Sequence, residues 1–132
     1  MSEETCLVKQ VVGKHVYGNL YECDTAVISD EEALKRIVME AVKRSKCTLH
    51  ELKSWKFGGE MGGISVIALV TESHIAVHTW IEYNYATVDV YTCGRYSDPE
   101  AAFDFIVSQL KPREYTKYFT DRSSKPKVIN VQ

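Results

Sequence analysis

Hydrophobic and polar positions along the chain follow two periods, and the changes between them mark its elements. Leu34, Ile37, Val38, Ala41 and Val42 form one apolar stripe at helical spacing, as in a helix that buries one face. Ser29 and Glu32 stand three apart just before it as an S-x-x-E capping box, with Asp30 and Glu31 adding acid to the first turn. Lys43 and Arg44 close the stripe with positive charge, where the helix dipole favours it. A second stripe, Phe103, Ile106, Val107 and Leu110, follows Asp98 as a cap and Pro99 at the first helical position. Lys111-Pro112 ends this helix, because the residue before proline is disfavoured in the helical region.

The remaining pattern is that of strands. Lys14 to Glu22 alternates imperfectly around Val16, Leu20 and Tyr21, and Gly18 inside it marks a bulge or a close backbone approach. Between the helices, Thr48 to Phe57, Ile64 to Val70, Ile75 to Trp80 and Tyr85 to Tyr91 are rich in β-branched and aromatic residues. In the last run Thr87, Asp89 and Tyr91 share one face and Ala86, Val88 and Val90 the other. Tyr115 to Thr120 reads as a final strand, residues 1–12 as a loose lead-in, and SSKPKVINVQ as a polar tail. The order β-α-β-β, then β-β-α-β, predicts an α+β two-layer sandwich: a mainly antiparallel sheet with two helices on one face.

At 132 residues the chain is sized for a single domain. Its 45% hydrophobic and 26% charged residues exclude a mainly disordered chain. Sixteen Lys plus Arg against 18 Asp plus Glu give a net charge of -2, which leaves no electrostatic footprint for nucleic acid or an anionic membrane. No apolar run is long enough to span a bilayer, and MSEETCLVKQ is not a secretory signal, so the expected location is cytoplasmic. Cys6, Cys23, Cys47 and Cys93 are widely spread and are expected to stay reduced in that compartment.

Two motifs invite a ligand reading and are set aside on their own residues. His74-x3-His78 would present both imidazoles to a metal if it were helical, but its β-branched surroundings argue for a strand, so no metal site is expected. The glycine-rich run from Gly58 to Gly63 lacks the GK[ST] ending of a phosphate-binding loop and opens no helix, so it reads as a flexible connection. Ser65 to Gly94 is denser, with serines, two histidines, acids and a cysteine set among β-runs.

Glu72-Ser73-His74, then His78-Thr79-Trp80, Glu82-Tyr83, Tyr85-Ala86, Val88-Asp89 and Thr92-Cys93-Gly94, resembles the small prokaryotic-type S-adenosylmethionine decarboxylases. Asp98-Pro99 and Ala102-Phe103 continue the likeness, which runs from about Gly13 to Lys111. The resemblance implies a pyruvoyl enzyme made from an inactive precursor. Ser73 Oγ attacks the carbonyl of Glu72 to give an ester, loss of the Ser73 α-proton expels the Glu72 carboxylate, and the resulting dehydroalanine is hydrolysed, releasing ammonia, to the pyruvoyl group, with fragments 1–72 and 73–132. It further implies that His78 accepts a proton in this processing, with Ser65 assisting. In the mature enzyme the pyruvoyl ketone would take the substrate amine as a Schiff base. Cys93 would return a proton to the substrate, since a thiol keeps its proton at neutral pH. A homodimer of cleaved protomers acting on a small amino-acid substrate is the expected assembly.

The substrate is read from the departures. Ile81, Asn84 and Thr87 replace a proline, a glycine and an alanine of the family pattern, and Gly59 falls where the family places an aromatic that stacks on adenine. Phe57 is the nearest substitute. The opening at Gly13 to Tyr21, the GG-GG-S loop, EYNYAT, LKPR and DRSS instead resemble the archaeal arginine decarboxylases, a side group of the same fold. Arginine is therefore the expected substrate, its guanidinium paired with Glu82, or less directly with Glu60. S-adenosylmethionine decarboxylation is the alternative, and an inactive ligand-binding relative the second alternative.

Overall fold

The computed structural model describes residues 5–131, with side chains described from 9 to 128. In chain order the elements are strands β1 (Thr5–Lys9) and β2 (Gly13–Tyr21), helices α1 (Thr25–Ile28) and α2 (Glu31–Arg44), and strands β3 (Leu49–Phe57), β4 (Gly63–Val70), β5 (Ser73–Trp80) and β6 (Tyr85–Cys93). Helix α3 (Pro99–Leu110) and strands β7 (Glu114–Tyr115), β8 (Tyr118–Asp121) and β9 (Lys127–Val131) complete the chain. The main sheet runs β3-β4-β5-β6-β2-β7, with β8 also paired to β2, and all its pairings are antiparallel. Helix α2 packs over β3 to β5 and α3 over β2 and β6, which gives the two-layer α+β sandwich expected from the sequence.

The two apolar stripes meet the alternate residues of the sheet. Leu34, Ile37, Val38, Ala41 and Val42 of α2, and Ala102, Phe103, Ile106 and Leu110 of α3, are buried against Val16, Leu20, Val66, Ala68, Ile75, Val77, Ala86, Val88 and Val90. Thr79 lies in this core with its polar group satisfied: its Oγ1 accepts from Ile64 N at 3.0 Å and donates to Ile28 O at 3.0 Å. Gly18 marks a close approach, since a Cβ there would overlap the carbonyl oxygen of Thr116.

Four local expectations change. The capping box at Ser29 gives way to Asp30, whose carboxylate accepts from Ala33 N at 3.1 Å. Asp24 has already started the one-turn helix α1, so Ser29 closes that turn instead, with Oγ on Thr25 O. The final strand divides into β7 and β8 on the same neighbour, β2. The lead-in and the polar tail are not loose at residues 5–9 and 127–131, where β1 and β9 pair antiparallel from Thr5↔Val131 to Lys9↔Lys127. Residues 1–4 of the lead-in, Gln132 and the Cys6 side chain lie outside the described residues.

Candidate active site

The sheet has a second face, turned away from the helices. Odd residues of β2, β4 and β6 and even residues of β5 point to it, so it carries His15, Tyr17, Ser65, Ile67, Leu69, His74, His78, Thr87, Asp89 and Tyr91. A trough of about 630 Å³ on this face is lined by Tyr17, Asn19, Ile67, Leu69, His74, His78, Thr87 and Asp89, among others.

Ser65 and His78 are directly opposite across β4 and β5, with Oγ and Nδ1 2.7 Å apart. Burial pushes the His78 imidazole below its usual value, and the Asp89 carboxylate pushes the other way. His78 is therefore held as a neutral base near neutral pH. His74 points to the same face from the same strand, four residues and about 13 Å away along it.

Ser73 sits at the start of β5 with φ at 142°, a conformation that a residue with a side chain adopts only under strain, at a cost of about 1–3 kcal/mol. The peptide on its N-terminal side is the one between Glu72 and Ser73. Its carbonyl oxygen accepts a hydrogen bond from Cys93 N at 2.8 Å, while the Glu72 carboxylate accepts from Thr48 N at 3.0 Å. Glu72 is thus pinned at both ends. A main-chain donor on a carbonyl also stabilises negative charge that develops on its oxygen.

The turn after Cys93 is fixed as well. Lys14 Nζ donates to the carbonyls of Arg95 at 3.1 Å and Ser97 at 2.9 Å, and Thr92 Oγ1 donates to Ser97 Oγ at 2.9 Å. Thr92 stands between Ser73 on β5 and Lys14 on β2, so these residues form one row at this end of the sheet. Cys47 belongs to the same end; its thiol is pushed up by burial, a hydrogen bond to Ser45 works against this, and the Glu72 carboxylate adds to it.

Of the residues singled out from the sequence, Glu72, Ser73 and Cys93 are brought together, and so are Ser65 and His78. The two groups are kept apart. Ser73 and His78 are five residues apart on one strand, which puts their side chains on opposite faces and about 16 Å apart along it. Glu82 is exposed on the 3-10 turn Ile81–Tyr83, and Glu60 is exposed in the β3–β4 loop. These two loops are tied by Ile81 N on Gly62 O at 3.1 Å, at the opposite end of the sheet from Ser73.

Beside them, Tyr21, Met61, Trp80, Tyr83 and Tyr85 line an apolar groove of about 490 Å³. Its ring centroids lie 5.3 Å apart for Trp80 and Tyr85 and 5.4 Å for Tyr21 and Tyr85. Gly59 and Phe57 are both exposed, and neither lines this groove. Sequence reasoning passed over this groove, Thr48, and the pair His15–Asp89. The first had a signal in the aromatic-rich Trp80 to Tyr85, whereas the amide of Thr48 had none.

Comparisons with known proteins place the chain in a family. The family model described as S-adenosylmethionine decarboxylase matches residues 14–123. The crystal structure of the adenosylmethionine decarboxylase from Aquifex aeolicus VF5 superposes with a TM-score of 0.77 at 35% sequence identity, covering 85% of this chain and 91% of that one. The fold and these matches define a small decarboxylase of the two-layer α+β class. The chain belongs to the S-adenosylmethionine decarboxylase family, which is pyruvoyl-dependent in general.

Proposed function

We propose that the chain is a self-processing pyruvoyl-dependent decarboxylase, cleaved between Glu72 and Ser73, and that its substrate is S-adenosylmethionine. The observation that carries the processing is the pinned carbonyl of Glu72 ahead of a strained Ser73. Attack by Ser73 Oγ turns that carbonyl into a tetrahedral centre whose oxyanion keeps the Cys93 N–H donor, and the strain at Ser73 is released as the amide becomes an ester. These surroundings suit a pyruvoyl group at position 73, because Cys93 stands beside it and Lys14 fixes the turn that carries Cys93. When formed, that group supplies an electron sink for loss of carbon dioxide from an α-amino acid. The Cys93 thiol holds the proton returned to the substrate.

The fold keeps the two fragments together. In the sheet, β3 and β4 of fragment 1–72 border β5 and β6 of fragment 73–132, and β2 of the first lies between β6 and β7 of the second. Separation would require the whole sheet to come apart.

His78 and Ser65 cannot reach Ser73 within one copy. The reading therefore includes a dimer in which two open sheet faces pack together, bringing the Ser65–His78 pair of a second copy to the Glu72–Ser73 end of the first. The open face suits such packing, with Trp55, Leu69 and Tyr118 exposed on it.

S-adenosylmethionine is supported by the family model and by the Aquifex relative. The groove of Trp80, Tyr83 and Tyr85 with Glu82 nearby suits a sulfonium cation joined to a flat base. Arginine, the substrate expected from the sequence, becomes the second reading. It is favoured by Gly59, which offers no ring to an adenine at the position where the family resemblance expects one. Release of labelled carbon dioxide from the two substrates, measured side by side, decides between them. A higher kcat/KM for S-adenosylmethionine is expected, and a clear preference for arginine overturns that substrate.

A further inference from the structure

One cluster on the open face has no part in the reading above. His15 Nε2 lies 2.9 Å and His74 Nε2 3.5 Å from the same oxygen, Oδ1 of Asp89. Tyr91 touches both imidazoles edge-on, with ring centroids at 5.7 Å each, and Tyr17 packs against His15 at 4.6 Å. The Arg122 guanidinium lies 4.2 Å from the centre of the Tyr91 ring. Asp89 is thus held in one orientation, with His15 only 16% exposed behind it and the carboxylate itself 40% exposed toward the trough.

The register places this carboxylate next to His78. His78 pairs with Thr87 and Ala76 with Asp89, so Asp89 is the diagonal neighbour of His78 on the same face, within about 7–8 Å. The groups that face His78 are few. They are Ser65 on β4, His74 and Trp80 on its own strand, Thr87 and Asp89 on β6, and His15 and Tyr17 beyond them on β2. From β3 come Trp55, opposite Ser65, and the Lys53–Glu51 pair, which neutralises itself at 3.6 Å. Within one copy Asp89 is the nearest carboxylate of this set.

We infer that Asp89, oriented by His15, is a positioning residue that acts through His78: its charge sets the basicity of the imidazole that accepts the proton during self-cleavage. Burial works against the protonated imidazole, and a base pushed too far down would accept the Ser73 proton poorly. An anion one diagonal step away offsets that burial without bonding to the ring, which leaves Nδ1 to Ser65. The direction of the two influences on His78 agrees with this.

The inference rests on the proposed role of His78 in processing, and the test separates the two. In the Ser73→Ala chain, which cannot cleave, the imidazole resonances are followed by NMR against pH and assigned with His78→Gln. Asp89→Asn should lower the His78 midpoint by about half a pH unit. Asp89→Glu should restore most of it, and His15→Gln should give a smaller drop in the same direction. His50, remote on β3, serves as the control and should not move. Should Asp89→Asn fail to fold, high salt applied to the Ser73→Ala chain itself should lower the His78 midpoint by screening the same charge. A His78 midpoint unmoved by Asp89→Asn, or by salt in its place, overturns the inference. With Ser73 intact, the pH profile of cleavage should shift down by the same half unit in Asp89→Asn. A shifted imidazole with an unshifted cleavage profile keeps the Asp89–His78 coupling and refutes the assignment of His78 to processing.

Discussion

The two faces of the central sheet use the same strands for different ends. The face under α2 and α3 is a closed packing problem: Ile75, Val77, Val88 and Val90 lie at 0–1% exposure, and Thr79 is there with both its hydrogen bonds made. The open face carries the imidazoles, Asp89, Ser65 and the trough, with Leu69, Trp55 and Tyr118 exposed among them. One-residue alternation along β5 and β6 therefore sorts structural from chemical side chains. The exception is Ser73, which belongs by position to the helix side but sits at the strand's end with a backbone that regular alternation does not describe. Stability resides mainly on one face, and the proposed chemistry on the other face and at the end of the sheet.

Substitutions on each side sharpen that division. Cys93→Ala should carry the largest effect, lowering kcat by about 10²–10⁴-fold through loss of the proton donor. It should nevertheless be cleaved, because the main-chain N–H on the Glu72 carbonyl remains. Steady-state kinetics and a denaturing gel read the two halves of this expectation. Under the helices the largest change is in stability: Phe103→Ala, at 0% exposure, should cost about 3–5 kcal/mol in urea unfolding. Thr79→Val keeps the shape but removes the partner of Ile64 N and Ile28 O, and should cost about 1–3 kcal/mol by the same measurement. On the open face Leu69→Ser should change the stability of one copy by no more than about 0.5 kcal/mol, since Leu69 is 47% exposed. The same change should weaken association, measured by sedimentation, because it removes apolar area from the face proposed to pack against a second copy.

The division between faces was largely legible in the sequence, because both periods are strong. The stripes of α2 and α3 and the alternation of Tyr85 to Tyr91 name the buried residues directly. Local competition displaced the Ser29 cap, since Asp24 and Asp30 both offer better-placed carboxylates on either side of it. The β1–β9 pairing joins segments more than a hundred residues apart, and periodicity within a window holds no record of such a partner. In the site, Glu72, Ser73 and Cys93 were named by their motif. Their geometry was not, because the φ of Ser73 and the amide hydrogen bonds depend on main-chain contacts that no side chain announces. The separation of Ser73 from His78 did have a signal: an odd spacing on a strand puts two residues on opposite faces. In the sequence Asp89 is one member of a face shared with Thr87 and Tyr91, and its significance emerges only with His15 and His78 beside it.

The central claim is that Ser73 and the pinned Glu72 carbonyl make this chain cut itself. Intact-mass measurement of the purified protein tests it most directly, with Ser73→Ala as the uncut reference. The account predicts two species, residues 1–72 and residues 73–132 with position 73 converted to a pyruvoyl group, which separate only on denaturation. A single intact chain of 132 residues that nevertheless decarboxylates its substrate would contradict it.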